Sequence, residues 1–114
     1  MGVKLSVRHI GDVTVIDIVG PITLGEGSIV TGNAVRERLA EGNKKILLNL
    51  KDVSYVDSSG LGELITAFVS VRNAGGAMKL VGLSKRLHDL LKLAHVDTIF
   101  DVHEDEAHAV RSFA

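Results

Sequence analysis

The spacing of apolar residues changes several times along the chain, and each change predicts a new strand or helix. Residues 3–10 and 12–19 are rich in β-branched side chains and are separated by Gly11-Asp12, which predicts an N-terminal pair of strands. Gly20-Pro21 is expected to end the second strand, because proline has no N–H to give to a β-ladder. Residues 22–27 are then expected to form a surface loop.

Helical and strand-like patterns alternate from residue 28 onwards. We expect strands at residues 46–50, 77–83 and 98–102, and helices at residues 28–40, 59–73 and 104–113 with a further one capped by Ser84. Such alternation builds parallel strands through helical crossovers. The sequence therefore predicts an α/β fold, with a single domain over residues 1–114 and a mixed β-sheet flanked by about four α-helices.

Composition narrows the classes of function. The 114 residues carry a net charge of −1 with no concentrated basic patch, so nucleic acid is not expected as a direct partner. No run is apolar and long enough for a signal peptide or a membrane span, and the chain has no cysteine, so we expect a cytoplasmic protein. With aromatic residues at only 4%, stacking platforms for bases or sugars are not expected either.

The segment Asp57-Ser58-Ser59-Gly60-Leu61-Gly62 joins an apolar strand to an amphipathic helix. Catalysis at this segment is not expected. An esterase-like elbow needs glycine two residues before its serine, and Val56 breaks that pattern at Ser58. The two glycines also fall short of a dinucleotide-binding fingerprint, and no phosphate-loop lysine follows them. We therefore expect neither an enzyme nor a bound cofactor.

A second polar group lies near the C-terminus and contains His103, His108 and several acidic residues. The two histidines are five residues apart, which would place them on different sides of a helix, whereas paired helical ligands are three or four residues apart. A solvated acidic helix start is therefore expected there, and no metal site.

The helix start at residues 57–62 is instead suited to regulation. One helix cap needs one side-chain oxygen, so Asp57, Ser58 and Ser59 leave at least one hydroxyl without a structural role. Gly60 and Gly62 are expected to leave this helix start uncrowded, and the helix dipole stabilises negative charge there. Either serine is then a candidate for phosphorylation. The nearby loop could serve as a contact surface or as a simple connection, and exposure of Ile22 and Leu24 would favour recognition.

The run from Val53 to Gly62, with the apolar strand before it, Gly20 upstream and Gly75-Gly76 downstream, resembles the anti-sigma factor antagonists, bacterial members of the STAS domain family. The resemblance implies that Ser58 is phosphorylated. It also implies that the unphosphorylated protein binds an anti-sigma factor, which is itself an ATP-dependent serine kinase, and that this binding frees a sigma factor. A metal-dependent serine phosphatase is then expected to remove the phosphate. A monomer or weak dimer is expected.

The partner-binding residues that we expect lie in two segments of the chain. They are Asp57, Ser58, Ser59, Gly60, Leu61 and Gly62 at the helix start, and Ile22, Thr23, Leu24 and Gly25 in the loop. The loop departs from the acidic or polar stretch that many family members carry after Gly20, so the partner's identity stays open. The alternative function is a scaffold subunit of a stress-signalling or lipid-transport complex, without a phosphoswitch.

Overall fold

The computed structural model describes residues 2–114, which form five strands and four helices. In chain order these are β1 Lys4–Ile10, β2 Val13–Ile22, α1 Glu26–Ala40, β3 Lys45–Val56, α2 Ser58–Asn73, β4 Ala77–Val81, α3 Lys85–Leu93, β5 Asp101–His103 and α4 Glu106–Arg111. None of the helices in this part of the chain has the length and the apolar character needed to cross a membrane.

The strands form one sheet in the order β1-β2-β3-β4-β5. β1 is antiparallel to β2, whereas β2, β3, β4 and β5 run parallel to one another. Each parallel step is made through a helix, as a strand pair of this kind requires a crossover. The α/β fold with a mixed sheet and four helices, expected from the alternation of patterns, is confirmed.

Two apolar clusters cover the two faces of the sheet. The larger one contains Ile16, Leu48 and Leu80 from the strands, packed with residues of α1, α2 and α3 such as Leu64. The smaller one is centred on Leu47 and packs beneath α4. Neighbouring residues of β3 therefore lie in opposite clusters, which explains why the centre of this strand is apolar at successive positions.

The second strand continues through Gly20-Pro21, so the expectation that it ends there was wrong. Its register against β3 shifts between Gly20 and Pro21, and such an irregularity admits a residue that cannot donate to the ladder. Gly20 has a φ of +105°, which favours glycine. β2 therefore reaches Ile22, which is paired with Val56 and fully buried.

Several other boundaries differ from the sequence-based expectation. α1 begins at Glu26 instead of residue 28, and β3 continues past Leu50 to Val56 because it pairs with the extended end of β2. The last strand is Asp101–His103 and α4 begins at Glu106, after a cap by Asp105. His103 is thus on a strand and not in a helix.

Candidate functional site

The side chain of Asp57 caps α2. Its backbone is extended, with φ −94° and ψ −176°, and its Oδ1 accepts a hydrogen bond of 2.8 Å from the Gly60 N–H. A carboxylate in this position satisfies one of the free N–H groups at the helix start and complements the helix dipole. Of the three polar residues that could have capped the helix, Asp57 has this role, and Ser58 is the first residue of the helix.

The same carboxylate also holds the loop between β2 and α1. Its Oδ2 accepts a hydrogen bond of 3.0 Å from the Leu24 N–H, while the Asp57 N–H donates to the Ile22 carbonyl at 3.4 Å. The N–H groups of Leu24 and then Gly60 lower the pKa of Asp57. Asp57 is therefore an ionised clamp between the loop and the helix, a role that a local sequence pattern does not reveal.

The two serines have different surroundings. The Ser58 side chain is exposed, and its hydroxyl has no hydrogen-bond partner within residues 2–114. The Ser59 side chain is half-buried, and its Oγ lies 3.4 Å from the Oγ of Ser28. Ser28 in turn donates to the Thr23 carbonyl at 2.9 Å. Ser59 is thus tied to the loop through Ser28, and Ser58 has the spare hydroxyl.

The two glycines of the segment also differ. A Cβ at Gly60 would lie 1.9 Å from the Ile22 carbonyl oxygen, so only glycine allows the end of β2 and the start of α2 to approach this closely. A Cβ at Gly62 would meet no atom within 4 Å among the described residues. Gly62 therefore leaves the surface open as expected, whereas Gly60 is needed for packing.

The loop presents a single apolar side chain. Leu24 is 80% exposed, whereas Ile22 is 0% exposed. Exposure of both residues would have favoured recognition by this loop, and only Leu24 is exposed. Leu61 is also buried, at 6%. The side chains of Ile22 and Leu61 consequently shape the site from beneath, and the exposed residues of the two segments are Leu24, Gly25, Ser58 and Gly62.

The start of α2 carries no acidic side chain in its first turn. Its backbone N–H groups and dipole therefore act on the Ser58 position, and the Asp57 carboxylate is the negative group next to it in the chain. The site thus combines a free hydroxyl, a helix N-terminus that favours added negative charge, and one carboxylate that opposes it.

The C-terminal histidines lie in a second location. The expectation that His103 and His108 point to different sides of a helix was wrong, because His103 is on β5 and His108 on α4. Their Nδ1 atoms are 3.3 Å apart. Within residues 2–114, no three histidine, cysteine or acidic side chains are grouped so that together they could hold a metal ion.

Comparison with known proteins identifies one family that matches almost the whole chain. The sequence model of the STAS domain matches residues 4–109. An anti-sigma-B factor antagonist of Bacillus subtilis is 38% identical over 81 residues, which cover 68% of this chain and 74% of that protein.

Solved structures share the fold. An anti-sigma factor antagonist from Mycobacterium paratuberculosis superposes with a TM-score of 0.86 at 17% identity, covering 98% of this chain and 94% of that one. The Bacillus cell fate determinant SpoIIAA in its phosphorylated form superposes with a TM-score of 0.72 at 15% identity, covering 96% and 99%.

Proposed function

Since this chain belongs to the STAS domain family, among the anti-sigma factor antagonists, we propose that it is a binding switch controlled by phosphorylation of Ser58. Unphosphorylated, it binds an anti-sigma factor and so frees a sigma factor for transcription. The anti-sigma factor is also the serine kinase that modifies Ser58, and a serine phosphatase restores the binding form. The chain itself binds and does not catalyse, and it acts in the cytoplasm.

The observation that carries this proposal is the exposed Ser58 hydroxyl, which has no partner within residues 2–114 and lies at the first position of α2. A kinase can reach this oxygen without breaking any hydrogen bond that the fold uses. Ser59 is less suited, because its hydroxyl faces Ser28 at 3.4 Å and its side chain is half-buried.

A phosphate on Ser58 would leave the fold intact. It brings a charge of about −1.5 to −2 at neutral pH. The free N–H groups and the dipole at the start of α2 stabilise that charge. Asp57 opposes it, because its carboxylate is next in the chain and already uses the Gly60 and Leu24 N–H groups. The modified helix start is therefore strongly negative while its backbone stays in place.

Binding would respond to this charge much more than folding does. Two unit charges about 4 Å apart interact by roughly 1 kcal/mol in water and about 4 kcal/mol near a protein surface. A phosphate facing an acidic or apolar surface of the partner would thus cost a few kcal/mol, and each 1.4 kcal/mol is about a tenfold loss of affinity. The proposed switch weakens binding by about two orders of magnitude or more.

Phosphorylation by a cognate anti-sigma kinase tests the proposal. We expect incubation with the kinase and ATP, followed by peptide mass mapping, to place one phosphate on Ser58. Ser58→Ala should bind the kinase and accept no phosphate, and Ser58→Asp should bind at least tenfold more weakly with an unchanged melting temperature. Ser59→Ala is the matched control and should still be phosphorylated. Phosphate on Ser59 alone would overturn the assignment, and constitutive binding without any phosphate would support the scaffold alternative.

A further inference from the structure

Two histidine rings meet between β5 and α4, on the face of the sheet opposite α2. The Nδ1 atoms of His103 and His108 are 3.3 Å apart, and the ring centroids are 5.3 Å apart with an angle of 59° between the planes. The rings are therefore not stacked, and each directs a nitrogen toward the other. The His103 side chain is 12% exposed, whereas His108 is exposed on the helix surface.

Hydrogen bonds on the far side of the His103 ring orient it. Its Nε2 lies 3.0 Å from the Asp101 Oδ1, and Asp101 in turn pairs with the Lys79 ammonium at 3.0 Å. A carboxylate that accepts from Nε2–H places the proton of the neutral ring there, and leaves a lone pair on Nδ1. This carboxylate–histidine arrangement is the one that usually orients a metal-binding imidazole.

The distance between the two Nδ1 atoms fits a shared metal ion. As a hydrogen bond the 3.3 Å contact is long, because good N–H donors lie about 2.7–3.2 Å from the acceptor. In a tetrahedral site with Zn–N bonds of about 2.0–2.1 Å, two nitrogen ligands are roughly 3.3–3.4 Å apart. A zinc ion between the two nitrogens therefore needs little movement of either ring.

We propose that His103 and His108 form a two-histidine site for a borderline divalent transition metal such as Zn²⁺. Nδ1 of each ring is the ligand, water fills the remaining positions, and Asp101 acts as a positioning residue that holds the His103 ring. Neutral imidazole is among the preferred ligands of zinc, nickel and copper. The bound ion would join β5 to the short helix α4 and so brace the C-terminal part of the fold.

Calorimetric titration of the untagged full chain with ZnCl2 tests the site. We expect one ion to bind with half-saturation below about 1 mM. His108→Gln should weaken binding at least tenfold, and Asp101→Asn should weaken it by about 10–100-fold because the ligand ring loses its orientation. Zn²⁺ should also raise the melting temperature of the wild type, since it binds only the folded chain, and should not raise that of His108→Gln.

His95→Asn is the matched control, because His95 is exposed and its φ of +60° is one that asparagine tolerates. It should bind zinc like the wild type. The ¹⁵N spectra of the imidazoles provide a second measurement, in which zinc should shift the Nδ1 resonances of His103 and His108 and not those of His95. No saturable binding, or equal binding by the wild type and His108→Gln, would overturn the proposal.

Discussion

The close approach of β2 and α2 makes Gly60 a sensitive position for a single methyl group. In Gly60→Ala the new Cβ would lie 1.9 Å from the Ile22 carbonyl oxygen, and an ordinary van der Waals contact begins at 3.4 Å. The helix start must therefore move by about 1.5 Å from the end of β2. That displacement stretches the bond from the Asp57 N–H to Ile22, which is already 3.4 Å long.

The expected cost combines several contributions. Overpacking against a rigid group costs about 1–3 kcal/mol, and each weakened hydrogen bond costs about 1 kcal/mol. Alanine regains up to about 1 kcal/mol in helix propensity. We expect a net loss of about 2 kcal/mol in the free energy of unfolding, which for a chain of this size corresponds to a melting temperature lower by about 8 °C.

Gly62→Ala is the matched control, because it adds the same methyl group to the same helix where no described atom lies within 4 Å. It should leave the free energy of unfolding unchanged or raise it by up to about 1 kcal/mol. Urea unfolding followed by circular dichroism measures both variants against the wild type. If Gly60→Ala proves as stable as Gly62→Ala, the steric role assigned to the Ile22 carbonyl is wrong.

Two further changes test the clamp and the core. Asp57→Ala should lower the melting temperature at pH 7, because the Leu24 and Gly60 N–H groups lose their acceptor. The folded-state pKa of Asp57 lies below its unfolded value, so its contribution is present above about pH 4 and lost as the pH falls through the lowered pKa. The difference between wild type and variant should therefore shrink in melts between about pH 5 and pH 2, and a constant difference would contradict the assignment. Thr31→Val should leave the free energy of unfolding unchanged or raise it by up to about 1 kcal/mol, because the Thr31 hydroxyl is buried without a partner among the described residues. Urea unfolding measures this change, and a loss of stability would indicate that the hydroxyl is bonded in solution.

Local patterns predicted most of the fold, and failed where a distant strand decides the outcome. Ser84 caps α3 as expected, and the centre of β3 is buried on both faces. The end of β2 was missed because the strand passes Gly20-Pro21 only with β3 beside it. The same pairing extends β3 over residues 51–56, most of which are not buried and show no clear apolar signal.

The segment proposed as the site was correctly predicted to lie at the start of a helix after a strand. The separate roles of the residues in this segment could be assigned only from the three-dimensional structure. Nothing near Asp57 in the sequence shows that its carboxylate reaches Leu24, which is 33 residues away. Likewise, Ser28 does not resemble a site residue until its hydroxyl is found facing Ser59.

The contact between Gly60 and the Ile22 carbonyl also helps to distinguish the residues of the Asp57–Gly62 segment that the fold requires from those that are free for the proposed regulation. The fold itself requires Gly60 for clearance and Asp57 for its two hydrogen bonds. It places no comparable demand on Ser58, whose hydroxyl bonds to nothing within residues 2–114. A related chain that had lost its regulation could exchange the serine freely and would still have to keep the aspartate and the glycine. Under the function proposed above, the serine is then the residue that distinguishes a chain with the switch from a chain of the same fold without it.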